Sequence, residues 1–193
     1  MNKNRLEAFS DGVLAIIITI MVLEFKVPDD TSFESVIKLS HKFLSYILSF
    51  IYVGIYWNNH HHMMHTVKRV NGKILWANLH LLFWLSLIPF TTAWIGEHHF
   101  KSLPMMLYGI VLFMNAIAYF ILQKIILNHH GKDSDLAIAI GKDYKGKLSV
   151  ILYLIAVVLT KYNVAISGAI YILVALLWLI PDKRIERIFN EKE

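Results

Sequence analysis

Six stretches of this chain are apolar enough to ask for lipid as their solvent, and that demand limits the possible folds more than any other feature. A bilayer's hydrocarbon core takes roughly 20 apolar residues to cross as a helix. The runs at about 7–26, 41–63, 73–95, 103–127, 147–160 and 163–180 approach or meet that length. The fifth is short, and the aliphatic stem of Lys147 extends it by reaching back toward the interface. The expected fold is an all-α membrane protein with six transmembrane helices per subunit. Composition agrees: 56% of the residues are hydrophobic and mean hydropathy is +0.52, against an apolar share of about 45–50% in soluble domains. The lipid bilayer is therefore the first expected partner.

The net charge of +5 would suggest nucleic acid in a soluble chain. Here the basic residues sit between the apolar runs, where they set orientation instead, and no nucleic acid is expected. Six crossings put both termini on one side, and that side carries fourteen of the nineteen lysines and arginines. The positive-inside rule then predicts cytoplasmic termini. The first apolar run is entered through Ser10-Asp11 and ends in Leu-Glu-Phe-Lys, which is no cleavage site for a signal peptide, so this helix is expected to stay. With no cysteine, disulfides and thiolate chemistry drop out. Residues 1–181 are expected to form the membrane domain and residues 182–193 a charged cytoplasmic tail. Thr31-x-x-Glu34 has capping-box spacing and predicts one long helix from about Ser32 to His65. Pro181-Asp ends the last helix.

The most distinctive polar stretch is Arg5-x-x-x-Phe9-Ser10-Asp11-Gly12, which leads straight into aliphatic sequence. Counting from Phe9, the residues Ile16, Thr19, Ile20 and Leu23 fall on one helical stripe. Polar groups inside membrane helices are expensive unless they face protein. Arg5, Ser10 and Asp11, then Trp57, Asn58, Asn59, His60 and His61, then Asn78 and His80 all lie at the same predicted depth. They are expected to form a hydrogen-bonded network centred on Asp11, with a gating or proton-sensing role for Asp11 or a histidine as the alternative. His61 and His65, four residues apart, have the spacing of two imidazole ligands. No Asp or Glu stands within that run and no matching cluster follows, so no metal or other cofactor is expected. Tyr52-Val-Gly-Ile-Tyr56 has a faint likeness to a potassium filter loop, but it stands in an unbroken helix that presents no carbonyls.

The motif R-x-x-x-F-S-D-G, followed by an isoleucine-rich helix ending in Leu-Glu, resembles the transmembrane protein 175 family of potassium-permeable channels in its short bacterial form, and the six-helix pattern resembles it too. The resemblance implies a homotetramer in the bacterial inner membrane whose first helices line a central pore. Carried over by distance from Phe9, it implies that Ile16, Ile20 and Leu23 form the narrowest rings and that Phe9, Ser10 and Asp11 belong to the structural network; Thr19 would add hydroxyls on the same face as the rings. The implied activity is a weakly selective K+ leak without a carbonyl filter, and not an enzymatic one. Rings of this kind block by dewetting when narrow and pass partly dehydrated ions when wider. A secondary transporter and a proton-permeable channel stay open as alternatives. A transporter would normally show inverted repeats or broken helices around a midplane charge, and Asn115 and the Pro89 region are the nearest approach to that here.

Overall fold

The computed structural model describes residues 2–28, 30–130 and 143–179; the expected tail at 182–193 lies outside them. Among the described residues there are eight α-helices and no strand: α1 Lys3–Leu23, α2 Phe33–Lys38, α3 Ser40–His65, α4 Gly72–Leu85, α5 Ile88–Glu97, α6 Ser102–His130, α7 Tyr144–Leu159 and α8 Val164–Leu179. Among the described residues, α1, the α4–α5 stretch and α6 meet both the length and the hydropathy that a membrane crossing requires. α7 and α8 have 16 residues each, on the order of 24 Å at 1.5 Å per residue.

Two expectations about local structure are corrected. The helix predicted over 32–65 is interrupted: α2 stops at Lys38, Leu39 closes onto Val36, and α3 begins afresh at Ser40. Its N-cap is Ser32, whose hydroxyl accepts from the Ser35 N–H at 3.3 Å. The shift from Thr31 has a local cause, because Asp30 accepts from both the Ser32 N–H (2.8 Å) and its hydroxyl (2.6 Å) and so orients it as the cap. Glu34 pairs with Lys38 instead of closing a capping box. The third apolar run is likewise two helices, broken at Ser86–Leu87 just before Pro89. Proline has no N–H to return to the preceding turn, and at this break the Trp84 carbonyl, which accepts from the Leu87 N–H at 3.2 Å, is also met at 3.3 Å by the side-chain amide of Asn115 on α6.

α6 stands at the centre of the bundle, packed against α4 and α5 on one side and α7 and α8 on the other. α3 touches α1, α5 and α8. The approach of α3 to α5 is close because Gly96 has no side chain: a Cβ there would lie 2.8 Å from the backbone of Lys42. Small residues permit such contacts in lipid, where packing rather than hydrophobicity drives helix association. The Lys42–Glu97 ion pair at 3.2 Å clamps the same two helices at their ends.

Candidate functional site

α1 has two faces of nearly equal hydrophobicity and opposite fates. Leu6, Ser10, Leu14, Ile17 and Met21 are buried against the rest of the chain. Phe9, Ile16, Ile20 and Leu23 are 53%, 57%, 41% and 80% exposed, and Thr19 is exposed among them. The predicted stripe therefore faces away from its own subunit. The Thr19 hydroxyl donates to the Ile16 carbonyl at 2.9 Å, which leaves its oxygen lone pairs turned outward on this face. Beside the stripe lies a groove of about 570 Å3 between α1 and α5, bordered by Ile16, Ile20, Pro89 and Phe90, with Glu24 and Glu97 toward one end.

At the start of α1 the polar residues sort themselves into a directed chain. The Ser10 hydroxyl donates to the Leu6 carbonyl (2.8 Å) and so accepts from the Asn78 amide nitrogen (2.9 Å). Asn78 Oδ1 must then be the acceptor toward His60 Nε2, at 2.7 Å, which places the proton on that nitrogen. Ser10, His60 and Asn78 are all buried, so this chain ties α1, α4 and α3 together at one depth. Beside it, the Trp57 indole N–H donates to Asp11 Oδ1 at 3.1 Å on the exposed side of α1 and α3. Lys3 adds an anchor at the same end by donating to the His65 carbonyl (2.9 Å).

The other residues of the expected network lie apart from this chain. His80 accepts from Trp84 Nε1 within α4, at 3.0 Å. His61 stacks on Trp57, with ring centroids 6.3 Å apart. Arg5 and Phe9 are exposed, and among the described residues no side-chain hydrogen bond or ion pair ties Arg5 to Ser10, Asn78 or His60. The His61 and His65 rings are 6.4 Å apart and tilted; among the described residues no three metal-binding side chains come together.

A second polar cluster went unread in the sequence. Thr92 of α5 donates to Ser49 of α3 at 2.6 Å, and Ser49 bonds the Tyr108 hydroxyl of α6 at 3.1 Å. Nearby, the Tyr52 hydroxyl donates to the Tyr171 carbonyl at 2.6 Å. The signal was present as Ser45, Ser49, Tyr52 and Tyr56, a stripe at i, i+4, i+7 and i+11 whose members are all buried.

A bundle with long apolar helices, an uncovered aliphatic surface and polar side chains bonded to one another inside it defines an integral membrane protein. The family model described as endosomal/lysosomal potassium channel TMEM175 matches residues 5–89, the segment holding both the α1 stripe and the Ser10–Asn78–His60 chain. A potassium channel of Chryseobacterium sp. (strain P1-3) is 58% identical over 191 residues, covering 99% of this chain and 100% of that one. The crystal structure of a lysosomal potassium-selective channel TMEM175 homolog from Chamaesiphon minutus superposes with a TM-score of 0.81 at 30% identity, covering 93% of this chain and 97% of that chain. The human endosomal/lysosomal proton channel TMEM175 is 36% identical over 96 residues, which is 43% of this chain and 19% of the human protein. The chain belongs to the TMEM175 family.

Proposed function

We propose that this protein is a potassium-permeable leak channel, weakly selective over sodium, in which copies of the chain surround a pore lined by α1. The observation that carries the reading is the exposed α1 stripe. Each subunit packs one aliphatic face of α1 inward and turns the other, Ile16, Ile20 and Leu23, toward whatever lies outside the subunit. One helix cannot enclose a path, so cyclic assembly follows, and a homotetramer places four such stripes around an axis. The groove beside the stripe accommodates a neighbouring copy's α1. Isoleucine and leucine rings then make a hydrophobic constriction, and the outward lone pairs of Thr19 offer a potassium ion partial replacement for the water it sheds.

In this reading the eight helices make six crossings, with α4 and α5 as one broken crossing and α2 outside the membrane. The membrane is the bacterial inner membrane, with both termini cytoplasmic. The Ser10–Asn78–His60 chain and the Asp11–Trp57 bond hold the cytoplasmic end of α1 in register and carry no ion themselves. Single-channel recording in planar bilayers, with potassium on one side and sodium on the other, tests the proposal. Unitary current steps should reverse on the side of the potassium equilibrium potential. Current without unitary steps, strictly coupled to a counter-ion, would make the protein an exchanger.

A further inference from the structure

At the end of the bundle that carries residues 66–71, α4 and α6 leave an open groove of about 920 Å3 between them. Its lining is layered. Level with the loop are Asn71, Lys73 and His129; one to two turns deeper are Trp76, Ile125 and Ile121. The eight steps from Ile121 to His129 rise about 12 Å along the helix, so the groove passes from polar to apolar over the depth of a membrane interface. Trp76 is 72% exposed and Ile121 37% exposed, and indole rings favour this interfacial level.

The polar end is built to hold an anion. Asn71 Oδ1 caps α4 by accepting from the Ile74 N–H (2.9 Å), while its amide group meets His129 Nδ1 at 3.2 Å. The shelf is therefore held from both helices. Lys73 stands exposed on it, in the first turn of the 14-residue α4, where the helix dipole adds positive potential. Lys68 and Arg69 belong to the adjoining loop, Lys124 to the last two turns of α6, and among the described residues no carboxylate lines the groove.

We propose that this groove binds one anionic phospholipid, with its phosphate at Lys73 and the start of α4 and its acyl chains along Trp76, Ile125 and Ile121. The two halves of the lining select together: a zwitterionic lipid brings its own cation to offset the phosphate beside Lys73, and a free anion has no use for the apolar wall. The proposal is independent of what the pore carries.

Native mass spectrometry of the purified full chain, with phosphatidylglycerol or phosphatidylcholine titrated into the micelles, tests it. The first phosphatidylglycerol adduct should form more readily than the first phosphatidylcholine adduct. Lys73→Gln should weaken that adduct about fivefold, the effect of one basic group near a membrane surface. Trp76→Ala, an exposed position that leaves the fold intact, should weaken it too, while Lys101→Gln at the opposite end should leave it unchanged. Equal retention of the two lipids, or a Lys73→Gln protein that binds phosphatidylglycerol as the parent does, would overturn the proposal. Displacement by millimolar inorganic phosphate as effective as displacement by competing phosphatidylglycerol would also overturn it, by showing an anion site with no lipid component.

Discussion

Removing Asn78 should uncouple α1 from α3, and the size of the effect follows from the direction of each hydrogen bond. Asn78→Ala deletes two bonds between helices and leaves the His60 Nε2–H, in a residue 2% exposed, without an acceptor. Ser10 keeps its bond to Leu6 and loses only a donor. An unpaired buried donor costs about 1–3 kcal/mol, and bonds between membrane helices average about 0.6 kcal/mol with a maximum near 1.7. Asn78→Ala should therefore destabilise the subunit by about 2–4 kcal/mol. Ser10→Ala, which strands only the Asn78 amide, should cost about 1–2 kcal/mol on the same grounds. The two changes share a bond, so their double-mutant cycle should show a coupling of about 0.6–1.7 kcal/mol. The assay is reversible unfolding in mixed micelles with increasing SDS fraction, followed by circular dichroism. Strict additivity of the two substitutions would refute the directed chain and reduce Asn78 to a packing residue.

Ile16→Asn should lower potassium over sodium preference and raise leak with little loss of folded protein, because Ile16 is 57% exposed in the subunit. Ile17→Asn should instead cost about 2–5 kcal/mol in lost core packing, because that side chain is 3% exposed; bi-ionic reversal potentials set beside folded yield separate the two, and equal selectivity effects would remove α1 from the pore. Gly96→Ala drives a Cβ into the Lys42 backbone and should cost about 1–3 kcal/mol, whereas Gly54→Ala meets nothing within 4 Å and should be neutral or mildly stabilising; thermal stability in detergent reports both. Burial holds the Asp143 carboxyl above the usual carboxylate range, against the opposing Gly146 N–H and Lys147. The folded state thus keeps this proton to higher pH than the unfolded chain, and stability falls as pH rises through that window. Asp143→Asn keeps an N-cap acceptor and suits the left-handed backbone there (φ 44), so it should raise stability at neutral pH and flatten that part of the pH profile. Because the chain has no cysteine, single replacements report topology directly: an impermeant maleimide applied to intact cells should label Lys101→Cys and spare Lys68→Cys.

The sequence carried the main helical runs because burying a span in lipid leaves a signal some twenty residues long. It also suggested a shared level for the polar residues, of which Ser10, Asn78 and His60 are hydrogen-bonded to one another in the structure. What it could not carry was azimuth. His80 lies two residues from Asn78, which is 200° round a helix, and it turns to Trp84 instead. Both faces of α1 are aliphatic, so hydrophobicity alone could not say that Leu14 and Ile17 would be packed and Ile16 and Ile20 left outside. The break before Pro89 was legible only as a hint, since a proline inside an apolar run is compatible with a kink or with two helices. The Ser49–Thr92–Tyr108 cluster escaped for another reason: serine, threonine and tyrosine carry no charge, and their cost in lipid becomes visible only when partners on other helices are known.

The divided third run changes how force is shared across the bundle. Its first half, α4, is pinned to α1 and α3 through Asn78, while its second half, α5, is pinned to α3 through Thr92 and Ser49 and through Glu97 and Lys42. An unbroken helix would act as a stiff beam between these anchorages, so that a tilt at one end became a displacement at the other. With the backbone ladder interrupted at Ser86–Leu87, the two halves are separate struts meeting at a joint, and the Asn115 amide across that joint is a restoring spring. The two struts still communicate, because α3 runs unbroken from Ser40 to His65 and bonds to one through Ser49 and to the other through His60, so α3 and not the third run is the member that carries a change at Thr92 to the Ser10 end.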